Sequence, residues 1–184
     1  MSEKIAELER EVFEKQQLLA QLKRDREPEP VDDYELSGPD GMVRLSDLFG
    51  DKSDLIVVHN MGKSCPYCTL WGDNYNGAVA HLNNRAAFVV VSPDTPDIQQ
   101  EFAAERGWRF GMYSGAKGTF IEDMGFKGDS GWMPGVSTFW RDDDGNIFRV
   151  ASAPFGPYDA FCSAWHFFSL LKGGPGDWAP KYSY

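Results

Sequence analysis

Cys65-Pro66-Tyr67-Cys68 constrains this chain more than any other stretch: two thiols three positions apart, directly after the apolar run Leu55-Ile56-Val57-Val58. From Thr69 to Leu82 apolar residues recur at helical spacing, so the pair is expected to open a helix that follows a buried strand. At a helix N-terminus, backbone N–H groups and the macrodipole favour a thiolate at Cys65. Cys68 lies one turn further on the same face, within reach of a disulfide. One attacking sulfur of low pKa and a second to resolve the mixed disulfide are what thiol–disulfide exchange needs. Half a zinc site and two inert thiols are the competing readings. A closed zinc site needs four ligands, and only Cys162, His59, His81 and His166 remain, none of them forming a second pair at ligand spacing. Cys162 reads as a small buried apolar residue.

A chain of 184 residues with 42% apolar residues is expected to hold one domain around a sizeable core. Its formal charge of −10 argues against nucleic acid or an anionic membrane as partner. No apolar run approaches the ~20 residues of a membrane span. The charged start, Met1-Ser2-Glu3-Lys4-Ile5, lacks the pattern of a secretory signal. With an odd cysteine count, a reducing, cytoplasmic location is expected, in which the pair would cycle between dithiol and disulfide.

Residues 3–26 read as one charged helix. Ile5, Leu8, Val12, Leu19 and Leu22 fall at a and d heptad positions, Lys15 interrupts the stripe, and Phe13 and Leu18 flank it. The reading favours a dimerisation element over a helix docked on its own domain. Glu27-Pro28-Glu29-Pro30 then reads as a stiff connector, which divides the chain into a helix at 1–28 and a domain at 29–184. A hairpin is expected around Gly38-Pro39-Asp40-Gly41, with a helical turn at 46–50. Strands are expected at 55–60, 87–92, 109–113, 136–141 and 146–152. Helices are expected at 66–84, 95–106, 117–124 and 158–171, before an aromatic tail that packs on the domain or on a partner. Asp73-Asn74-Tyr75-Asn76-Gly77 is unfavourable inside a helix, so a kink, a tie to a neighbouring loop, or a second site is expected there. This alternation implies a mixed sheet with helices on both faces.

That element order, with Cys-x-x-Cys after the first core strand, resembles the thioredoxin fold: α/β, a central mixed sheet flanked by helices, here with an N-terminal helix and β-hairpin. Several runs are similar to the bacterial thioredoxin-like family called domain of unknown function 899. They include His59-Asn60-Met61-Gly62-Lys63-Ser64-Cys65-Pro66-Tyr67-Cys68-Thr69-Leu70-Trp71, Val91-Ser92-Pro93-Asp94, Arg106-Gly107-Trp108 and Pro134-Gly135-Val136-Ser137. The match is expected over about residues 31–184, with the helix as a variable preface. The resemblance implies a redox activity. Enzymes of this fold carry a buried acid six positions before the attacking cysteine, and here His59 fills that slot. A neutral imidazole is expected there to take the proton of Cys68, against the alternative of a structural histidine. The cis-proline of the fold maps onto Val136-Ser137, with Pro134 slightly early. Glutaredoxins share Cys-Pro-Tyr-Cys, but their glutathione-binding segments are missing. Peroxiredoxins place threonine and proline where Gly62 and Val58 stand here.

The resulting expectation is a thiol–disulfide oxidoreductase with Cys65 attacking and Cys68 resolving, and His59 relaying the proton. Lys63, Pro66, Tyr67, Trp71, Pro134 and Ser137 are the supporting residues. Lys63 is either a cationic neighbour or a solvated lysine, and Trp71 faces the sulfurs or fills the core. No cofactor beyond the redox-active disulfide and no metal is expected. The expected partners are a disulfide-containing protein or small thiol, a cellular dithiol reductant, and a second copy through the N-terminal helix. A thiol peroxidase using Cys65 and a non-enzymatic redox-sensing module are the alternatives.

Overall fold

The computed structural model describes residues 3–184. Helix α1 (Glu3–Asp25) leads into β1 (Glu29–Val31), then the hairpin β2 (Glu35–Gly38) and β3 (Gly41–Arg44), then a 3-10 turn at Leu45–Phe49. The βα units follow as β4 (Asp54–His59), α2 (Pro66–Asn76), α3 (Val79–Arg85), β5 (Ala87–Ser92), α4 (Pro96–Arg106) and β6 (Gly111–Ser114). The chain continues with α5 (Phe120–Asp123), the small hairpin β7 (Lys127–Gly128) and β8 (Gly131–Trp132), β9 (Gly135–Arg141), β10 (Ile147–Pro154) and α6 (Ser163–Ser169). Eight strands form one sheet in the order β1-β10-β9-β4-β5-β6-β2-β3, parallel through β4-β5-β6 and antiparallel elsewhere.

Both faces of the central strands are buried, which explains why β4 and β5 are near-continuous apolar runs. Alternation sorts their side chains. Leu55, Val57, Val89 and Val91 join Phe49, Phe120 and Phe139 on one face. Val58, Phe88 and Val90 join Cys68, Trp71, Tyr75 and Trp165 on the other, beneath α2.

Three expectations need correction. The helix at 66–84 is two helices, α2 and α3, with Gly77 as the cap of the first. The polar run is a set of ties. Asn76 donates to the Gly107 carbonyl at 3.0 Å and accepts the Arg109 N–H at 2.9 Å. Asp73 accepts from Trp108 Nε1 at 2.8 Å and pairs with Arg106, and Asn74 donates to Ser163 Oγ. The helix at 158–171 shrinks to α6, because Asp159 fixes a non-helical turn by accepting N–H groups of Gly156 and Phe161. Part of the supposed connector is an edge strand: β1 pairs with β10, Pro30 opposite Phe148, a place where a missing N–H is tolerated. The β7–β8 hairpin had no counterpart in the sequence reading. Of the aromatic side chains in the tail, only Trp178 packs inward, edge-on to Trp165 and Phe168, whereas Tyr182 and Tyr184 are exposed.

Candidate functional site

The site is built where β4 ends and α2 begins. Asn60 continues the ladder by donating to the Val91 carbonyl, and its side-chain oxygen accepts the Gly62 N–H at 2.8 Å. Asp94, just beyond β5, accepts the Lys63 N–H at 2.7 Å. Gly62 has φ +99°, and a Cβ there would lie 2.9 Å from both Asp94 carboxylate oxygens, so both backbone conformation and space require glycine. This loop delivers Cys65 to the N-cap of α2, with Pro66 in the first turn where its missing donor costs nothing.

Cys65 and Cys68 are both free thiols. The Cys65 sulfur is half-buried and accepts the Cys68 backbone N–H at 3.1 Å. The Cys68 sulfur is buried and accepts the Met61 N–H at 3.4 Å. The Cys68 S–H donates to the Cys65 sulfur, which lowers the Cys65 pKa to about 7; burial opposes this, and backbone N–H groups of Cys68 and Tyr67 assist. The same contact, with desolvation, pushes the Cys68 thiol well up. One sulfur is thereby an accessible thiolate near neutral pH, and its neighbour stays protonated beneath it.

Tyr67 stacks at 6.1 Å on Trp165, and Trp71 is buried with its indole N–H donating to Asp159 Oδ2 at 2.9 Å. Cys65, Pro66, Tyr67, Cys68 and Trp71 therefore form one constellation. Cys162 is buried in the core on the same sheet face, with its thiol pKa raised mainly by desolvation.

His59 does not join this constellation. As the last residue of β4 it alternates away from Val58, which packs with Cys68, and enters the opposite face. Its ring stacks on Phe126 at 4.0 Å and its Nε2 lies 2.9 Å from Ser137 Oγ. Burial, with Arg149 nearby, lowers its pKa to about 3. The expected proton relay is replaced by a neutral core imidazole paired with Ser137. Lys63 is exposed and acts through its backbone N–H; it is not among the groups that shift Cys65. Among the described residues every peptide bond is trans, that preceding Pro134 included. Pro134 instead lends its carbonyl to the Phe155 N–H. Asn60, Asp94, Asp159 and Trp165 escaped the sequence reading. Asn60 and Asp94 carried a local signal, since each lies in a run that resembles the family, Asp94 closing Val91-Ser92-Pro93-Asp94 at a strand end.

Among the described residues, no group of three or more His, Cys, Asp or Glu side chains is placed to hold a metal ion, and no helix is long and apolar enough to cross a membrane. The chain is similar to the crystal structure of the peroxidoxin BcpB from Mycobacterium tuberculosis, with 28% identity and a TM-score of 0.56 over 70% of this chain and 86% of that one. It is also similar to a peroxiredoxin-like protein from Aquifex aeolicus, with 16% identity and a TM-score of 0.55 over 69% of this chain and 74% of that one. A third likeness is to a thiol:disulfide interchange protein DsbE from Chlorobium tepidum, with 23% identity and a TM-score of 0.51 over 72% and 88%. No curated protein matches. The family of bacterial proteins of unknown function DUF899 matches residues 2–178, so α1 lies within the family match, where the sequence reading set it apart as a preface. The chain belongs to the DUF899 family and has a thioredoxin-like fold.

Proposed function

We propose that this protein is a thiol–disulfide oxidoreductase that works through Cys65 and Cys68 without a bound cofactor. The observation that carries the reading is the division of labour between the sulfurs: Cys65 is stabilised as a thiolate at the start of α2, and Cys68 is a buried thiol in contact with it. The Cys65 thiolate attacks one sulfur of a substrate disulfide, and the substrate S–S bond breaks as the mixed disulfide forms. The first substrate thiolate leaves and is protonated from solvent. Cys68 then gives up its proton and attacks the Cys65 sulfur. The second substrate thiolate departs and carries that proton. Two electrons pass to the substrate, and the Cys65–Cys68 disulfide remains.

The half-exposed Cys65 beside Tyr67 suits a disulfide-containing protein or a small thiol as substrate. A cellular dithiol would regenerate the pair, in keeping with a reducing cytoplasm. The experiment is the redox equilibrium of the pair in glutathione buffers, read by alkylation and mass. A reversible two-electron transition between about −270 and −120 mV supports the reading. A pair that stays reduced at every poise overturns it.

Peroxide reduction by Cys65 is a second reading, supported by the 28% identity to the mycobacterial peroxidoxin. Gly62 offers no hydroxyl to a peroxide at Cys65, and that weighs against it. Hydrogen peroxide consumption coupled to a dithiol reductant separates the two.

A further inference from the structure

Among the described residues, helix α1 is the one long element that buries none of its residues. Ile5, Leu8, Val12, Phe13, Leu18, Leu19 and Leu22 are each between 50% and 61% exposed. A helix of 23 residues is about 35 Å long. Most helical stability in proteins comes from packing an apolar face, and here that face points into water.

We propose that α1 pairs antiparallel with α1 of a second copy, Leu8 of each helix against Leu19 of the other. The heptad positions choose the direction. In a parallel pair Lys15 would face Lys15 at a core layer, two like charges in the seam. Antiparallel, the same stripe aligns Ile5 with Leu22, Leu8 with Leu19, and Val12 with Lys15, so every core layer holds at least one apolar partner and the two lysines separate. Of the flanking positions, Lys4 comes beside Asp25 of the second copy, an attractive pair, and Glu9 comes beside its neutral Gln16.

An uncovered groove lies beside the C-terminal part of α1, where the second helix would arrive. A cavity of about 430 Å³ lies between α2–α3 and the β9–β10 part of the sheet, lined by Ile56, Leu82, Phe88, Val136 and Ala153, with Lys23 of α1 on its wall. Opposite Leu22, the antiparallel helix brings Ile5 of the second copy next to that wall. The interface is isologous, as a two-fold dimer requires.

The test uses the full reduced chain. Sedimentation equilibrium should give twice the chain mass at micromolar concentration, and Leu8→Glu should weaken the dimer at least tenfold. Leu8→Glu should leave disulfide exchange per chain unchanged, because α1 does not touch the sulfurs. Leu8→Cys and Leu19→Cys chains, mixed in glutathione buffer and mapped by peptide mass, should link position 8 to position 19. A monomeric mass overturns the proposal. So does preferential linking of position 8 to position 8, the signature of a parallel pair. So does a Leu8→Glu chain that dimerises as tightly as the parent. None of these readouts depends on whether the cysteine pair exchanges disulfides.

Discussion

The backbone N–H of Cys68 donates to the sulfur of Cys65 at 3.1 Å, so the residue that would resolve a mixed disulfide also helps to hold the attacking thiolate. Its S–H makes the larger contribution to lowering the Cys65 pKa to about 7, against about 8.5 for a free thiol. The rate of iodoacetamide alkylation at Cys65 should therefore rise through a midpoint near pH 7. Cys68→Ala keeps the backbone donor and removes the thiol donor. The midpoint should then move up towards about 8.5, and mixed disulfides at Cys65 should accumulate. A midpoint unmoved by Cys68→Ala would assign the shift to the helix N-terminus alone.

Gly62→Ala should damage the site more than the fold. The positive φ and the close Asp94 carboxylate both oppose a side chain, and backbone strain of this type costs on the order of 1–3 kcal/mol. The loop would relax by releasing the Lys63 N–H from Asp94. The expected outcome is at least a tenfold fall in disulfide-exchange rate with a cooperative thermal transition retained. Asp94→Ala, which frees the space, should partly rescue the Gly62→Ala chain in a double variant.

His59 predicts a pH dependence of stability. Its pKa is about 3 in the folded chain and about 6.5 when unfolded, so the unfolded state binds more protons between those values. Stability is then complete above about pH 6.5 and declines as pH falls below it, by up to about 1.4 kcal/mol per pH unit. Urea midpoints between pH 7 and pH 5, above the range where carboxylates titrate, should show that slope. His59→Leu should flatten the slope, whatever it does to absolute stability, and should leave the pH profile of exchange unchanged.

Gly72→Ala tests the packing beneath the cysteine helix. Alanine gains about 0.5–1 kcal/mol over glycine in a helix interior. Here its Cβ would lie 2.5 Å from the Trp108 ring, and overpacking costs about 1–3 kcal/mol. The clash should win, lowering the melting temperature and disturbing the Trp108–Asp73 hydrogen bond. A more stable variant would mean that the ring moves freely.

Most of the architecture was legible because its signals are local. The apolar runs at Leu55–Val58 and Phe88–Val91, the turn at Pro39–Gly41 and the Cys65–Cys68 spacing each specify their own element. Where the reading failed, the deciding contact came from far along the chain. Pro30 becomes a strand only because β10 offers an edge, and α6 starts late because Asp159 caps a turn that also takes the Trp71 indole.

The sequence by itself determined that a strand would carry two cysteines to the start of a helix, since spacing, the missing donor of Pro66 and apolar periodicity act within a few residues. Tertiary structure alone decided which face of the sheet each neighbour serves. His59 stands six positions before Cys65, yet side chains of a strand alternate, and the slot that resembled a proton relay lies across the sheet against Phe126 and Ser137. Asp94, thirty-one positions from Lys63, is what holds the loop before the thiols. Only the packing of β5 beside β4 could bring that carboxylate to the site.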